Sequence, residues 1–95
     1  MSDYFLKLSL TAQNDLSAIY EEGFLNWGEI QADFYYDGII NHFNTLCENP
    51  YLYQNVDEIR QGYRRSVCGK HSVYYRVIND TVEIMGLVKR QNRYN

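Results

Sequence analysis

A chain of 95 residues that is 45% hydrophobic and 16% aromatic has enough apolar material for one packed core, which excludes a disordered polypeptide and leaves no room for a second domain. Cys47 and Cys68 lie far apart with neither a Cys-x-x-Cys nor a Cys/His spacing that clusters the ligands of a zinc site, no apolar run reaches the roughly 20 residues of a membrane span, and Met1-Ser2-Asp3 does not open a signal peptide, so thiols, no metal and a cytoplasmic location are expected. The net charge of −3 conceals a division: ten acidic residues stand against Lys7 alone before Arg60 (net −9), then eight basic residues against Asp80 and Glu83 (net +6).

Phe5, Lys7 and Ser9 alternate with Leu6, Leu8 and Leu10, the period of a strand with one wet face, which predicts a first strand over Tyr4 to Leu10. Ser9 or Thr11 can cap a helix in which Ala12, Leu16, Ile19 and Tyr20 form one apolar stripe, and Gly23 is expected to end or loosen it. Asn26-Trp27-Gly28 reads as a turn. A second helix repeats the pattern through Ala32, Tyr35, Tyr36, Ile39, Phe43 and Leu46 until Asn49-Pro50 stops it, completing an α-hairpin over about Thr11 to Glu48. Tyr51 to Val56 has no period and is expected to be a loop or a single tight turn. Strands over Tyr63 to Cys68, Ser72 to Ile78 and Val82 to Val88 follow; Gly69-Lys70 and Asn79-Asp80 suit compact hairpin loops between them, so the three make an antiparallel meander. On the middle strand Val73, Tyr75 and Val77 face one side, Tyr74, Arg76 and Ile78 the other. The order β-α-α-β-β-β predicts an α+β fold, an α-helical hairpin packed on an antiparallel β-sheet, in one domain over residues 1–95 with a polar tail from about Lys89. A basic half of this kind points to an acidic peptide or a nucleic acid as partner.

Several short motifs follow one another along nearly the whole chain. They are Leu10-Thr11-x-x-Asn14-Asp15-Leu16-x-x-Ile19, Trp27-Gly28 with Gln31-Ala32, Asn49-Pro50, Asp57-Glu58-Ile59-Arg60-x-Gly62-Tyr63-Arg64-Arg65, Gly69-x-His71-x-Val73-x-Tyr75-Arg76 and Val82-Glu83-Ile84. In order and spacing the set resembles the ParE branch of the RelE/ParE superfamily, the toxin halves of bacterial toxin–antitoxin pairs. The ending Leu87-Val88-Lys89-Arg90-Gln91-Asn92 departs from the His and Met-Asp ending frequent in ParE sequences. The resemblance implies a cytosolic type II toxin, neutralised in a hetero-oligomer by a ParD-like antitoxin, that poisons DNA gyrase by binding, acts in plasmid stabilisation, and needs neither a cofactor nor direct contact with nucleic acid. RelE toxins use the same scaffold to cleave messenger RNA, so a ribosome-dependent endoribonuclease is the alternative, and a toxin-like fold that keeps only antitoxin binding is a second.

Surface complementarity carries the function on this reading, and no residue is assigned a catalytic role. Arg60, Arg64, Arg65 and Arg76, with Trp27 and Tyr35 as aromatic anchors, are the candidate antitoxin-binding set, because guanidinium forks make bidentate contacts to an acidic segment laid across the sheet. The competing reading pairs Arg60, Arg64 and Arg65 with Glu21, Glu22 or Asp57 in the acidic half, and places Trp27, Tyr35 and Tyr36 in the core. Lys89, Arg90, Arg93 and Tyr94 are the candidate target-binding set. An endoribonuclease would draw its proton-transfer and phosphate-stabilising groups from His71, Arg64, Arg76, Arg90 and Tyr94, although His71, just after Gly69-Lys70, also fits a ring hydrogen bond that holds the hairpin. His42 is expected at a rim or exposed. Cys68, beside Arg64 and Arg65, is open to a lowered thiol pKa but lacks a partner His or Cys and reads as packing.

Overall fold

The computed structural model describes residues 3–90. Strand β1 (Phe5–Leu8) leads into helices α1 (Leu10–Trp27) and α2 (Glu29–Glu48), and strands β2 (Gln54–Asn55), β3 (Tyr63–Cys68), β4 (His71–Ile78) and β5 (Thr81–Lys89) follow. The sheet runs β1-β5-β4-β3-β2, and the α-hairpin packs on one of its faces, giving the expected α+β layers.

The first strand stops two residues earlier than its alternation suggests, because Ser9 is a helix cap. Its backbone is extended, its Oγ accepts the Ala12 N–H at 3.0 Å, and the same hydroxyl donates to the Met85 carbonyl at 3.0 Å. Leu10 therefore opens α1 and stays 71% exposed. Met85 is the extra residue of a bulge: Tyr74 faces Gly86 while Tyr75 faces Ile84. Strand β1 also lies parallel to β5, Phe5 beside Thr81 through Leu8 beside Ile84, so the sheet is mixed and not wholly antiparallel. A parallel neighbour needs a long crossover, which the α-hairpin and the meander between the two strands supply.

Helix α1 runs through Gly23 without a break. Gly23 sits against Ala32 of α2, where an added Cβ would be 3.6 Å from the Ala32 Cβ, and packing at this crossing outweighs the roughly 1 kcal/mol that glycine costs a helix. The turn between the helices shrinks to Gly28 alone, whose φ of 93° lies where side-chain-bearing residues are strained. The segment expected to be a loop contains β2, which adds to the ladder as Gln54 pairs with Arg65 and Asn55 with Arg64.

Ala12, Leu16, Ile39, Phe43 and Leu46 from the helices meet Val73, Tyr75, Val82, Ile84 and Leu87 from the sheet to form the core. The alternation on β4 holds: Val73 and Tyr75 are fully buried, and Ile78 is exposed. Buried phenols need a partner, and the Tyr75 hydroxyl donates to the Pro50 carbonyl at 2.7 Å, with burial pushing its pKa up to about 12. The other face of the sheet keeps Phe5, Val67 and Ile78 exposed. Lys89, expected to begin a polar tail, is the last residue of β5 opposite His71, and the Arg90 N–H donates to the Lys70 carbonyl at 2.8 Å. Among the described residues no helix is long and apolar enough to cross a membrane.

Candidate functional site

A groove of about 530 Å³ opens where the α-hairpin overhangs the β3–β4 turn and the end of β5. Tyr20, Trp27, Tyr35 and Tyr36 line its helical side; Lys70, His71 and Lys89 line its sheet side. Tyr35, on α2, ties the two sides together. Its hydroxyl accepts the Lys70 N–H at 2.9 Å and lies 2.8 Å from His71 Nδ1 and 3.3 Å from the Cys68 carbonyl. The phenol has one hydrogen, so it cannot donate to both of the last two. Gly69 makes this approach possible: its φ is 59°, and a Cβ there would stand 2.7 Å from the Tyr35 hydroxyl.

Electrostatics follow from this packing. His71 is held below the ordinary histidine pKa by burial, then by the charge of Lys89, with Glu22 and Asp15 pulling the other way and Lys70 adding to the fall. Burial pushes the Tyr35 phenol up against the opposing Lys70 N–H. Tyr20 donates to Asp33 Oδ1 at 2.6 Å across the hairpin, and that bond raises its pKa to about 12. Lys70 Nζ lies 5.5 Å from the Trp27 ring centroid, Lys89 Nζ is 3.2 Å from Glu22 Oε2, and the Arg90 guanidinium reaches the Gly69 carbonyl at 3.4 Å. Two lysine heads thus stand on the sheet rim of an aromatic trough, with Arg90 beside the adjoining turn. Among the described residues no three His, Cys, Asp or Glu side chains gather so as to hold a metal ion.

The residues proposed to bind one partner do not share one surface. Trp27, 66% exposed, lines the groove outside the core, whereas Tyr35 and Tyr36 line the groove and also pack against the core. Arg64 turns to the loop before β2, donating to the Tyr53 carbonyl at 2.8 Å with its guanidinium 5.1 Å from the Tyr51 ring centroid. Arg60 precedes β3, so strand alternation does not pair it with Arg64; it lies over the Tyr63 ring at 5.8 Å. Arg65 sits beside Tyr74 in the β3–β4 register, and Arg76 pairs with Glu83 at 2.9 Å across β4 and β5. The ion pairs among the described residues are Arg76–Glu83 and Lys89–Glu22, so Arg60, Arg64 and Arg65 do not pair with the acidic half either. Lys89 lines the groove, and Arg90 lies beside the β3–β4 turn at the Gly69 carbonyl; Arg93 and Tyr94 lie outside the described residues. Cys68 goes against the suggestion of an activated thiol, since burial pushes its pKa up. His42, half-buried, bonds Ser66 Oγ at 2.7 Å.

A model of the family described as the ParE toxin of type II toxin-antitoxin systems, parDE, matches residues 6–94. The chain belongs to this ParE toxin family. It is 32% identical over 92 residues to Toxin ParE1 of Mycobacterium tuberculosis, covering 96% of this chain and 93% of that protein. To Toxin ParE1 of Caulobacter vibrioides it is 35% identical over 71 residues, covering 75% and 74%. In fold it is similar to the chromosomal ParDE toxin–antitoxin system from P. aeruginosa, with a TM-score of 0.83 at 20% identity over 94% of this chain and 98% of that one. The toxin–antitoxin complex RelBE2 from Mycobacterium tuberculosis gives 0.66 at 20% identity over 95% and 94%. The protein is therefore a toxin of a type II toxin–antitoxin module.

In this ParE-family chain, Lys70 on the groove and the join between Tyr35 and His71 fall outside the residues the sequence points to. The signal for Lys70 was present, because a basic residue following a glycine in a two-residue hairpin turn must be displayed at the tip. The Tyr35 contact joins residues 36 apart and has no local signature.

Proposed function

We propose that this toxin is neutralised by a ParD-like antitoxin whose acidic amphipathic segment seats in the groove, and that it poisons DNA gyrase through the same basic end of the molecule. The observation that supports this is the meeting of an apolar trough, walled by Trp27 and Tyr35, with a cationic rim of Lys70 and Lys89, and Arg90 beside the adjoining turn at the Gly69 carbonyl. Apolar side chains of a helix would fill the trough while its carboxylates reach the rim, the usual helix-in-groove mode. Arg65 and Arg76, on the open face of the sheet, would take a further extended part of the same antitoxin, with Arg60 and Arg64 at its margin. Neutralisation then works by occlusion: the antitoxin covers Lys89 and Arg90, which together with Arg93 and Tyr94 engage the target. Poisoning by binding asks no proton transfer of His71, whose Nδ1 faces the Tyr35 hydroxyl. The site of action is the cytoplasm.

Induction of the gene in cells with macromolecular synthesis followed in time tests this reading. DNA damage and arrested DNA synthesis should come first, and co-expression of the neighbouring antitoxin should prevent both. Protein synthesis failing first, with ribosome-bound messenger RNA cut, would establish the endoribonuclease alternative. Antitoxin affinity unaffected by Lys70→Glu or Lys89→Glu would remove the groove from the account.

A further inference from the structure

The α-hairpin carries a pattern that the groove does not use. Its residues 10–48 include seven acidic side chains and no lysine or arginine. Asp15 is committed to the Leu87 N–H at 2.9 Å, Glu22 to Lys89 and one oxygen of Asp33 to the Tyr20 hydroxyl at 2.6 Å, whereas Glu29 and Asp37 stay exposed and, like Asp33, form no ion pair among the described residues. Large apolar side chains stand among them, Ile30 at 86% and Phe34 at 74% exposure. Ile30, Asp33, Phe34 and Asp37 fall at i, i+3, i+4 and i+7, so they share one face of α2. That face is opposite the one bearing Tyr35 and Ala32, which line the groove. Single exposed hydrophobics are ordinary, but an isoleucine and a phenylalanine one turn apart inside an uncompensated acidic frame make an interaction surface.

Charge selects the occupant. A second copy meeting this face about a twofold axis would set the acidic frame against itself, and an anionic lipid surface or an acidic segment would be repelled in the same way. We infer that the outer face of α2 is a second docking surface, distinct from the groove, that takes a cationic amphipathic helix of a partner protein. Apolar residues of that helix sit on Ile30 and Phe34 while its Lys and Arg side chains reach Glu29, Asp37 and the oxygen of Asp33 that Tyr20 leaves open. Because the two surfaces lie on opposite sides of α2, this contact leaves the groove free for an antitoxin, and it does not depend on what the groove binds.

The test uses the full chain, isotopically labelled, titrated by NMR with two synthetic helical peptides that share one apolar face but carry either Lys or Glu beside it. The Lys peptide should shift the amides of Ile30, Asp33, Phe34 and Asp37 and leave those of Lys70 and His71 unmoved. Its affinity should fall roughly tenfold or more on changing Ile30 and Phe34 together to Ser, as expected for a paired apolar anchor, and should also fall for Asp37→Lys. All three positions are exposed, so the fold, checked by circular dichroism, should persist. Equal binding of the Glu peptide, no binding of the Lys peptide, shifts confined to the groove, or unchanged affinity in the serine variant would overturn the inference. Shifts of the same four amides with protein concentration alone would overturn it too, by making a second copy the occupant.

Discussion

Replacing Tyr35 by Phe removes one oxygen and tests whether the groove is held by a single phenol. The hydroxyl accepts the Lys70 N–H at 2.9 Å and meets His71 Nδ1 at 2.8 Å, so its loss strips the β3–β4 turn of these hydrogen bonds to α2 while the ring contact remains. Lys70 is exposed and its N–H can be hydrated, whereas His71 is 8% exposed and its ring nitrogen is left short of a partner. One effective net hydrogen bond plus part of a desolvation penalty gives about 1–2 kcal/mol of destabilisation. For a domain of this size that is a fall in melting temperature of roughly 4–16 °C. Tyr36→Phe is the control: its ring packs edge-on against Tyr20 at 5.9 Å, and losing its hydroxyl should cost less than about 0.5 kcal/mol. Chemical denaturation gives both stabilities, and amide exchange at Gly69 and Lys70 should quicken more than at Tyr75 in the core. If Tyr35→Phe and Tyr36→Phe prove equally stable, or if exchange at the turn does not change, Tyr35 is not the tie between the two walls.

Gly69→Ala should cost about 1–3 kcal/mol, from the left-handed backbone and from the clash with Tyr35, and a double-mutant cycle should show that cost shrinking in a Tyr35→Ala background; full additivity would contradict the close approach. Tyr75→Phe leaves the Pro50 carbonyl buried without its donor and should destabilise by about 1–3 kcal/mol in urea titrations, a neutral result being the contrary outcome. Burial lowers the pKa of His42 and His71 in the folded protein, so the unfolded chain takes up these protons first. Stability should therefore be full above the ordinary histidine value of 6.5, fall as pH drops below it, and level off beneath the lowered folded values; His42→Gln should flatten part of that fall, and a urea midpoint constant across the window would exclude it.

The regular elements were legible because each rests on local pattern: the apolar stripes of α1 and α2, the alternation on β4, and turn residues at Gly69 and Asn79, both at positive φ. What was not legible depends on contacts between distant residues. Ser9 reads equally as the end of a strand or as a cap, and its bond to Met85, 76 residues away, belongs to the second role. Gly23 carries the local signal of a helix end, but Ala32 packs against it and the helix continues. The site was half legible. Trp27 and Tyr35, offered as antitoxin anchors, and Lys89, offered for the target, line one groove, while Arg60, Arg64 and Arg76 share only charge and sequence proximity, and tertiary structure sends them to a tyrosine ring, a loop carbonyl and a cross-strand carboxylate.

The most direct test of the proposed function is a cleavage assay with purified toxin, DNA gyrase and supercoiled plasmid, run beside translating ribosomes. Wild-type protein should accumulate gyrase-linked double-strand breaks that the cognate antitoxin suppresses, Arg90→Ala should weaken them, and His71→Gln should leave them largely intact in a folded protein. Unbroken plasmid together with codon-specific cleavage of ribosome-bound messenger RNA, lost on changing His71, would contradict poisoning by binding and make the protein an endoribonuclease.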